Sequence, residues 1–207
     1  IDNGVDSREN NTLLHYACKN KNGLEIARLL IEKGADVNAT ADFGFPPIFF
    51  AVDSAKDTRV VELLISNGAE VNYKEQYSGL TPMHMACRNK NGLEIVKLLI
   101  ENGADVNSEL YETVGFEYPA AIVPLHFALL SKNYDIAKLL IESGADVDIR
   151  TFTEGMACGG FTPLHLALTS DSCIELTRLL IDKGADVNAK TSDYSQYYAG
   201  CTPLHLA

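Results

Sequence analysis

The chain has 207 residues, 46% of them hydrophobic and 22% charged, with 17 basic and 28 acidic side chains and a formal net charge of −11. That balance repels a nucleic-acid backbone, and no basic stretch with interleaved aromatics offsets it, so no nucleic-acid partner is expected. No apolar run approaches the ~18 residues a membrane span needs, so no membrane insertion is expected either.

Two short runs recur along the chain. The first reads Thr-Leu-Leu-His-Tyr-Ala at 12–17, Pro-Pro-Ile-Phe-Phe-Ala at 46–51 and Thr-Pro-Met-His-Met-Ala at 81–86. It returns as Val-Pro-Leu-His-Phe-Ala at 123–128 and as Thr-Pro-Leu-His-Leu-Ala at 162–167 and 202–207. The second, Gly-Ala-Asp-Val-Asn or a near copy, stands at 34–38, 68–72, 103–107, 144–148 and 184–188. Repetition on this scale decides the architecture before any local propensity does. The repeats are 12–45, 46–80, 81–122, 123–161 and 162–201, with a partial sixth at 202–207. The chain starts at Ile1 and stops at Ala207 inside the first helix of a sixth repeat, which reads as a fragment or trimmed domain.

Taken in order, repeat one keeps His15 but has Leu13 where a proline stands elsewhere, and its second helix is predicted over 24–33. Repeat two departs most, with Pro46 for Thr and Phe49 for His. It is expected to lean on aromatic packing by Phe49 and Phe50. Repeat three has the full motif and a second helix predicted over 93–102. Repeat four has Val123 for Thr, and repeat five is complete. In repeat five Thr162 suits a helix N-cap and Pro163 the first helical turn. Ile174, Leu176, Leu179, Leu180 and Ile181 then give a second helix of 3.6-residue period, and Gly184 suits a left-handed stop. Leu29, Leu64, Leu98, Leu139 and Leu179 are expected as the buried leucines of the second helices. Two short helices cannot bury their apolar faces alone, so the repeats must stack.

These motifs resemble the ankyrin repeat, and the resemblance covers nearly the whole chain. It implies an all-α fold: an α-solenoid of stacked helix-turn-helix repeats with projecting β-hairpin fingers, here as one domain over 1–207. It also implies that His15, His84, His126, His165 and His205 bond backbone in adjoining loops. None is then left for catalysis, and neither catalytic residues, a metal site nor a cofactor is expected. The implied function is non-catalytic: an adaptor or scaffold that presents a concave surface of fingers and inner helices to a protein or peptide. The alternative is the targeting domain of a larger enzyme or of a host-directed pathogen effector.

The distance from the Gly of the second run to the next motif is 12, 13, 20, 18 and 18 residues, so three consecutive fingers are lengthened. Long loops on a rigid scaffold are where binding concentrates. Most of the aromatics fall in connecting segments, and aromatics give large contact area at low rotamer cost. The residues expected to bind protein are Phe45, Asp53, Tyr77, Arg88, Tyr111, Phe116, Tyr118, Phe152, Phe161, Tyr194, Tyr197 and Tyr198. Packing of the finger aromatics on one another is the competing reading. Glu109, Glu112 and Glu117 make one finger acidic, which suits either a basic partner or a merely solvated loop. The net charge is also accounted for by the acid each repeat carries. The five cysteines form no C-x-x-C pair and are odd in number, which suits a reducing, cytoplasmic compartment; Cys18 and Cys87 occupy apolar positions and are expected in the core. The protein is expected to be a monomer.

Overall fold

The structure, a computed structural model, describes residues 11–41, 44–54, 58–110, 122–151, 159–169, 174–193 and 198–207. The chain divides into two compact units, Ile1–Asp105 and Val106–Ala207. The first holds α1 (Leu13–Lys19), α2 (Leu24–Glu32), α3 (Pro47–Ser54), α4 (Thr58–Ser66), α5 (Pro82–Arg88) and α6 (Leu93–Glu101). The second holds α7 (Pro124–Leu130), α8 (Tyr134–Glu142), α9 (Pro163–Leu168), α10 (Ile174–Asp182) and α11 (Pro203–Leu206). In each unit a first helix packs on its own second helix and on the first helix of the next repeat. The second helices likewise form a row, α2–α4–α6 in one unit and α8–α10 in the other. The fold is therefore all-α and built of stacked helix-turn-helix repeats. The second helices of repeats one and three each end one residue before the sequence suggests.

The Gly-Ala step that closes each second helix has a defined job. Gly34, Gly68, Gly103, Gly144 and Gly184 all have φ between 80° and 97°. The next N–H, of Ala35, Ala69, Ala104, Ala145 or Ala185, then reaches back to the carbonyl of Leu30, Leu64, Leu99, Leu140 or Leu180 at 2.9–3.0 Å. A left-handed residue satisfies the helix's last carbonyls in this way, and glycine takes that conformation without strain. Gly92 is needed for a different reason. It precedes α6 with φ −79°, but a Cβ there would lie 2.1 Å from the carbonyl oxygen of Ala86.

The register of the second helices differs from expectation. Aligned on the Gly, the leucine pairs are 29/30, 63/64, 98/99, 139/140 and 179/180. The second member faces the core: Leu64, Leu99, Leu140 and Leu180 are fully enclosed and Leu30 is partly so. Of the five leucines expected in the core, only Leu64 is buried. Leu98, Leu139 and Leu179 are half-exposed, and Leu29 is 55% exposed. The apolar stripe runs through 26, 27 and 30 of repeat one and its equivalents, and a step of one residue turns a side chain ~100° away from it. Repeat one is further uncovered because no helix pair precedes it among the described residues. Ile26 is 51% exposed while its equivalents Val60, Ile95, Ile136 and Leu176 are buried. At the other end Leu204 is likewise exposed.

No strand occurs among the described residues. Each finger instead has a backbone hydrogen bond across its base: Ala41 to Phe45, Glu75 to Leu80, Leu110 to Ile122, Thr151 to Phe161 and Thr191 to Cys201, all at 2.8–3.0 Å. The donors stand three residues after Asn38, Asn72, Asn107, Asp148 and Asn188, and every one is buried.

Candidate protein-binding face

The helix-one motif is a hydrogen-bonded device. The hydroxyls of Thr81 and Thr162 cap α5 and α9, accepting from the backbone N–H of His84 and His165. In every repeat with the motif His, its Nδ1 accepts from the N–H of the first motif residue, at 3.0–3.3 Å for Thr12, Thr81, Val123, Thr162 and Thr202. An Nδ1 that accepts carries no proton, so the neutral ring holds its proton on Nε2. At His15 and His165 that Nε2–H donates to the end of the next finger, to the Phe45 carbonyl at 3.0 Å and to the Cys201 carbonyl at 3.2 Å. Burial lowers the pKa of His15 and His165, against the opposing pull of those carbonyls. The fully enclosed His126, set against the backbone of Ile149 and Phe161, is lowered to about 4. His15, His126 and His165 are therefore neutral at neutral pH.

Repeat two replaces the tie with rings. Phe49 cannot bond a carbonyl; it packs against Phe45 with centroids 5.0 Å apart and edge-on to Tyr73 at 6.1 Å. Tyr73 stands where repeat one has Ala39, whose backbone lies beside His15. Phe50 meets the His15 ring edge-on at 5.0 Å. Beside these rings a recess of about 190 Å³ opens, lined by Lys19, Phe45, Phe49, Phe50, Asp53 and Met85.

Side-chain bridges hold successive loops. The Asn38 amide donates to the Gly68 carbonyl and accepts from the Glu70 N–H, at 2.9 and 3.0 Å. Asn72 does the same with Gly103 and Asp105, and Asn107 with Gly144 and Asp146. Asp148, in the same place, accepts from the Asp186 N–H at 2.7 Å but has no N–H to donate to Gly184.

Of the residues expected to bind protein, Asp53, Tyr77 and Arg88 are exposed in the first unit and Phe45 is half-exposed. In the second unit Tyr198 is exposed. Phe161 is not available for contact. It is 2% exposed, stacked on His165 with centroids 5.5 Å apart and edge-on to Tyr198 at 5.4 Å. It stands immediately before the Thr162 cap, and its N–H and carbonyl both bond Thr151, which draws it into the finger base. Tyr111, Phe116, Tyr118, Phe152, Tyr194 and Tyr197 lie outside the described residues, as do Glu112 and Glu117.

Sequence reasoning missed Glu75, which is 2% exposed. Its carboxylate accepts from the N–H groups of Tyr77 and Ser78 at 2.7 and 2.8 Å and from the Ser78 hydroxyl at 2.7 Å. This acid builds the turn that holds Tyr77 outward. Its fixed offset from Asn72 was the signal that could have found it. Also missed was a groove of about 490 Å³ between α8 and α10, bordered by Asp135, Glu142, Glu175, Asp182, Lys138 and Arg178. Cys18 and Cys87 are buried as expected, and burial pushes the Cys18 thiol up to about 12. Among the described residues no His, Cys, Asp and Glu cluster could hold a metal ion, and no helix is long and apolar enough to cross a membrane.

Stacked helix pairs, first helices whose motif histidine is bonded back to the start of its motif in all but repeat two, and loops tied from repeat to repeat define a repeat protein. A family model described as ankyrin repeats (three copies) matches residues 14–110, 48–151 and 125–207, and the chain belongs to the ankyrin-repeat family. It is similar to the fowlpox virus (strain NVSL) ankyrin repeat protein FPV233, 36% identical over 84 residues, and to FPV031 of the same virus, 34% identical over 83 residues. Those stretches are 41% and 39% of this chain but only 15% and 24% of the viral proteins. The structure is similar to the crystal structure of the human ASB11 ankyrin repeat domain. That similarity has a TM-score of 0.73 and 27% identity, over 95% of this chain and 77% of that one. Ankyrin repeats are generally protein–protein interaction modules.

Proposed function

We propose that the chain works as one non-catalytic interaction domain, an adaptor or scaffold, which offers finger and helix-one side chains to a protein or peptide of basic character. The observation that carries this is the contrast within the motif. Its histidines are engaged with backbone, while Asp53 stands exposed on α3, Arg88 on the capped α5 and Tyr77 on a carboxylate-braced turn. An exposed aromatic or arginine on a rigid support is the usual form of an interface anchor. The net charge of −11 favours a basic partner, and free thiols at Cys18 and Cys201 suit a monomer working in a reducing, cytoplasmic compartment without a cofactor. Tyr111, Phe116, Tyr118, Phe152, Tyr194 and Tyr197 are proposed as further contact residues. In affinity capture from the native cell, Tyr77→Ala and Arg88→Glu are each expected to weaken retention of the partner about tenfold or more with melting unchanged. Undiminished retention by the double variant would overturn the reading.

The second reading is a targeting domain of a longer, host-directed protein. It is favoured by the two viral relatives, of which the matching stretches are a small part. Fusing residues 1–207 to an inert reporter and following its capture by host proteins tests it; a reporter that captures none refutes it.

A further inference from the structure

We infer that the recess between α1, α3 and α5 is an anchor site for one aliphatic side chain of a partner protein. The inference rests on the interaction-domain reading. The anchor is carried on an extended segment, with a basic neighbour for Asp53 and an acidic neighbour for Lys19. The recess comes from the departure in repeat two. A motif histidine at position 49 would turn its ring nitrogens to backbone, as His15 and His165 do. Phe49 instead fixes an apolar wall between Phe45 and Tyr73, and Phe50 is braced by His15. The rings are therefore held by neighbours before any ligand arrives, which lowers the ordering cost of binding. Met85 from α5 completes the lining, and an unbranched thioether adapts to a varied occupant.

Size and charge select the occupant. An apolar cavity of about 150 Å³ holds benzene, so about 190 Å³ accepts a leucine or methionine side chain but not a folded element. A cation seated on the rings is disfavoured, although cation–π contact is common on such surfaces, because Lys19 borders the same recess. Lys19 and Asp53 are exposed at the rim, and neither side chain has an ion-pair partner among the described residues. Opposite charges on a rim steer orientation and register more than they add affinity, so they select the neighbours of the anchor on either side.

The probe is a library of random twelve-residue linear peptides displayed on phage, selected against the whole chain and against Phe50→Ala and Asp53→Lys. The wild type is expected to enrich peptides that share an aliphatic residue with a basic residue close by. Phe50→Ala is expected to lower their affinity at least tenfold. Asp53 is exposed, so Asp53→Lys is expected to fold normally and to exchange the basic neighbour for an acidic one. Failure to enrich such peptides, equal binding by folded Phe50→Ala, or an unchanged neighbour preference in Asp53→Lys would overturn the inference. Binding of toluene in the recess with no peptide selected would also overturn it, in favour of a small apolar ligand. Loss of the native partner on Tyr77→Ala or Arg88→Glu but not on Phe50→Ala sinks the recess and leaves the interaction-domain reading standing.

Discussion

Leu139 and Leu140 are adjacent, chemically identical and differently placed, so truncating each in turn tests the register of the second helices. Leu140 is fully enclosed, and its carbonyl also receives the Ala145 N–H that closes the helix. Leu→Ala at an enclosed site costs about 2–5 kcal/mol, and more where the surroundings cannot collapse. Leu140 lies on the side of α8 that packs against α7 and α10, so a cost of about 3–4 kcal/mol is expected. Leu139 keeps part of its surface in water, and only the buried part is lost, so about 1–2 kcal/mol is expected there. For a chain of this size each kcal/mol is worth roughly 2–4 °C in melting temperature. Urea unfolding followed by circular dichroism, with the slope checked for constancy, reads both variants on one scale. The same comparison at Leu63 and Leu64 in α4 serves as a replicate, since Leu64 is enclosed and Leu63 is not. An equal cost at the two positions of a pair, or a larger cost at the first, would refute the assigned register.

Acid should loosen the repeats through their histidines. A His whose folded pKa is lowered is fully compatible with folding above the unfolded value of 6.5. Below it the unfolded chain binds the proton first, and stability falls until the folded pKa is reached. For His126 the window runs from 6.5 to about 4 and the loss is about 3 kcal/mol; His15 and His165 add to it in the same direction. Stability measured from pH 7 to pH 4 should fall more steeply in the wild type than in His126→Gln, and parallel profiles would contradict the account. Asp148→Asn should restore the donor to the Gly184 carbonyl that Asn38, Asn72 and Asn107 supply elsewhere, raising stability by about 0.5–1 kcal/mol; a lower urea midpoint would count against it. Gly92→Ala separates two effects of opposite sign. Backbone entropy favours alanine by about 0.4–1 kcal/mol, but the new Cβ would meet the Ala86 carbonyl oxygen at 2.1 Å. The steric term should win, and a variant as stable as wild type would show that the turn relaxes.

The fold was legible because its causes are local and repeated. A Thr-Pro start, an apolar helical period and a Gly-Ala stop each act within a few residues, and recurrence along the chain makes stacking the only way to bury the stripes. The replacement of His by Phe49 was legible for the same reason, as a break in a known register. The sequence alone could not say which leucine of each pair is enclosed. Each pair stands in a run of apolar residues, so either member can be read into a helical stripe, and only packing on the neighbouring repeats decides which turns inward. Phe161 looked like its fellow finger aromatics, yet its place beside the cap and the bonds to Thr151 take it into the core. Glu75 read as one more acid of an acidic chain until its carboxylate met the N–H groups of the turn it braces. Lys19, Phe45, Phe50, Asp53 and Met85 lie in three different repeats or their connecting loop, and tertiary structure alone brings them to one recess. Contacts across repeats depend on how one helix pair sits on the next, a relation that no local pattern encodes.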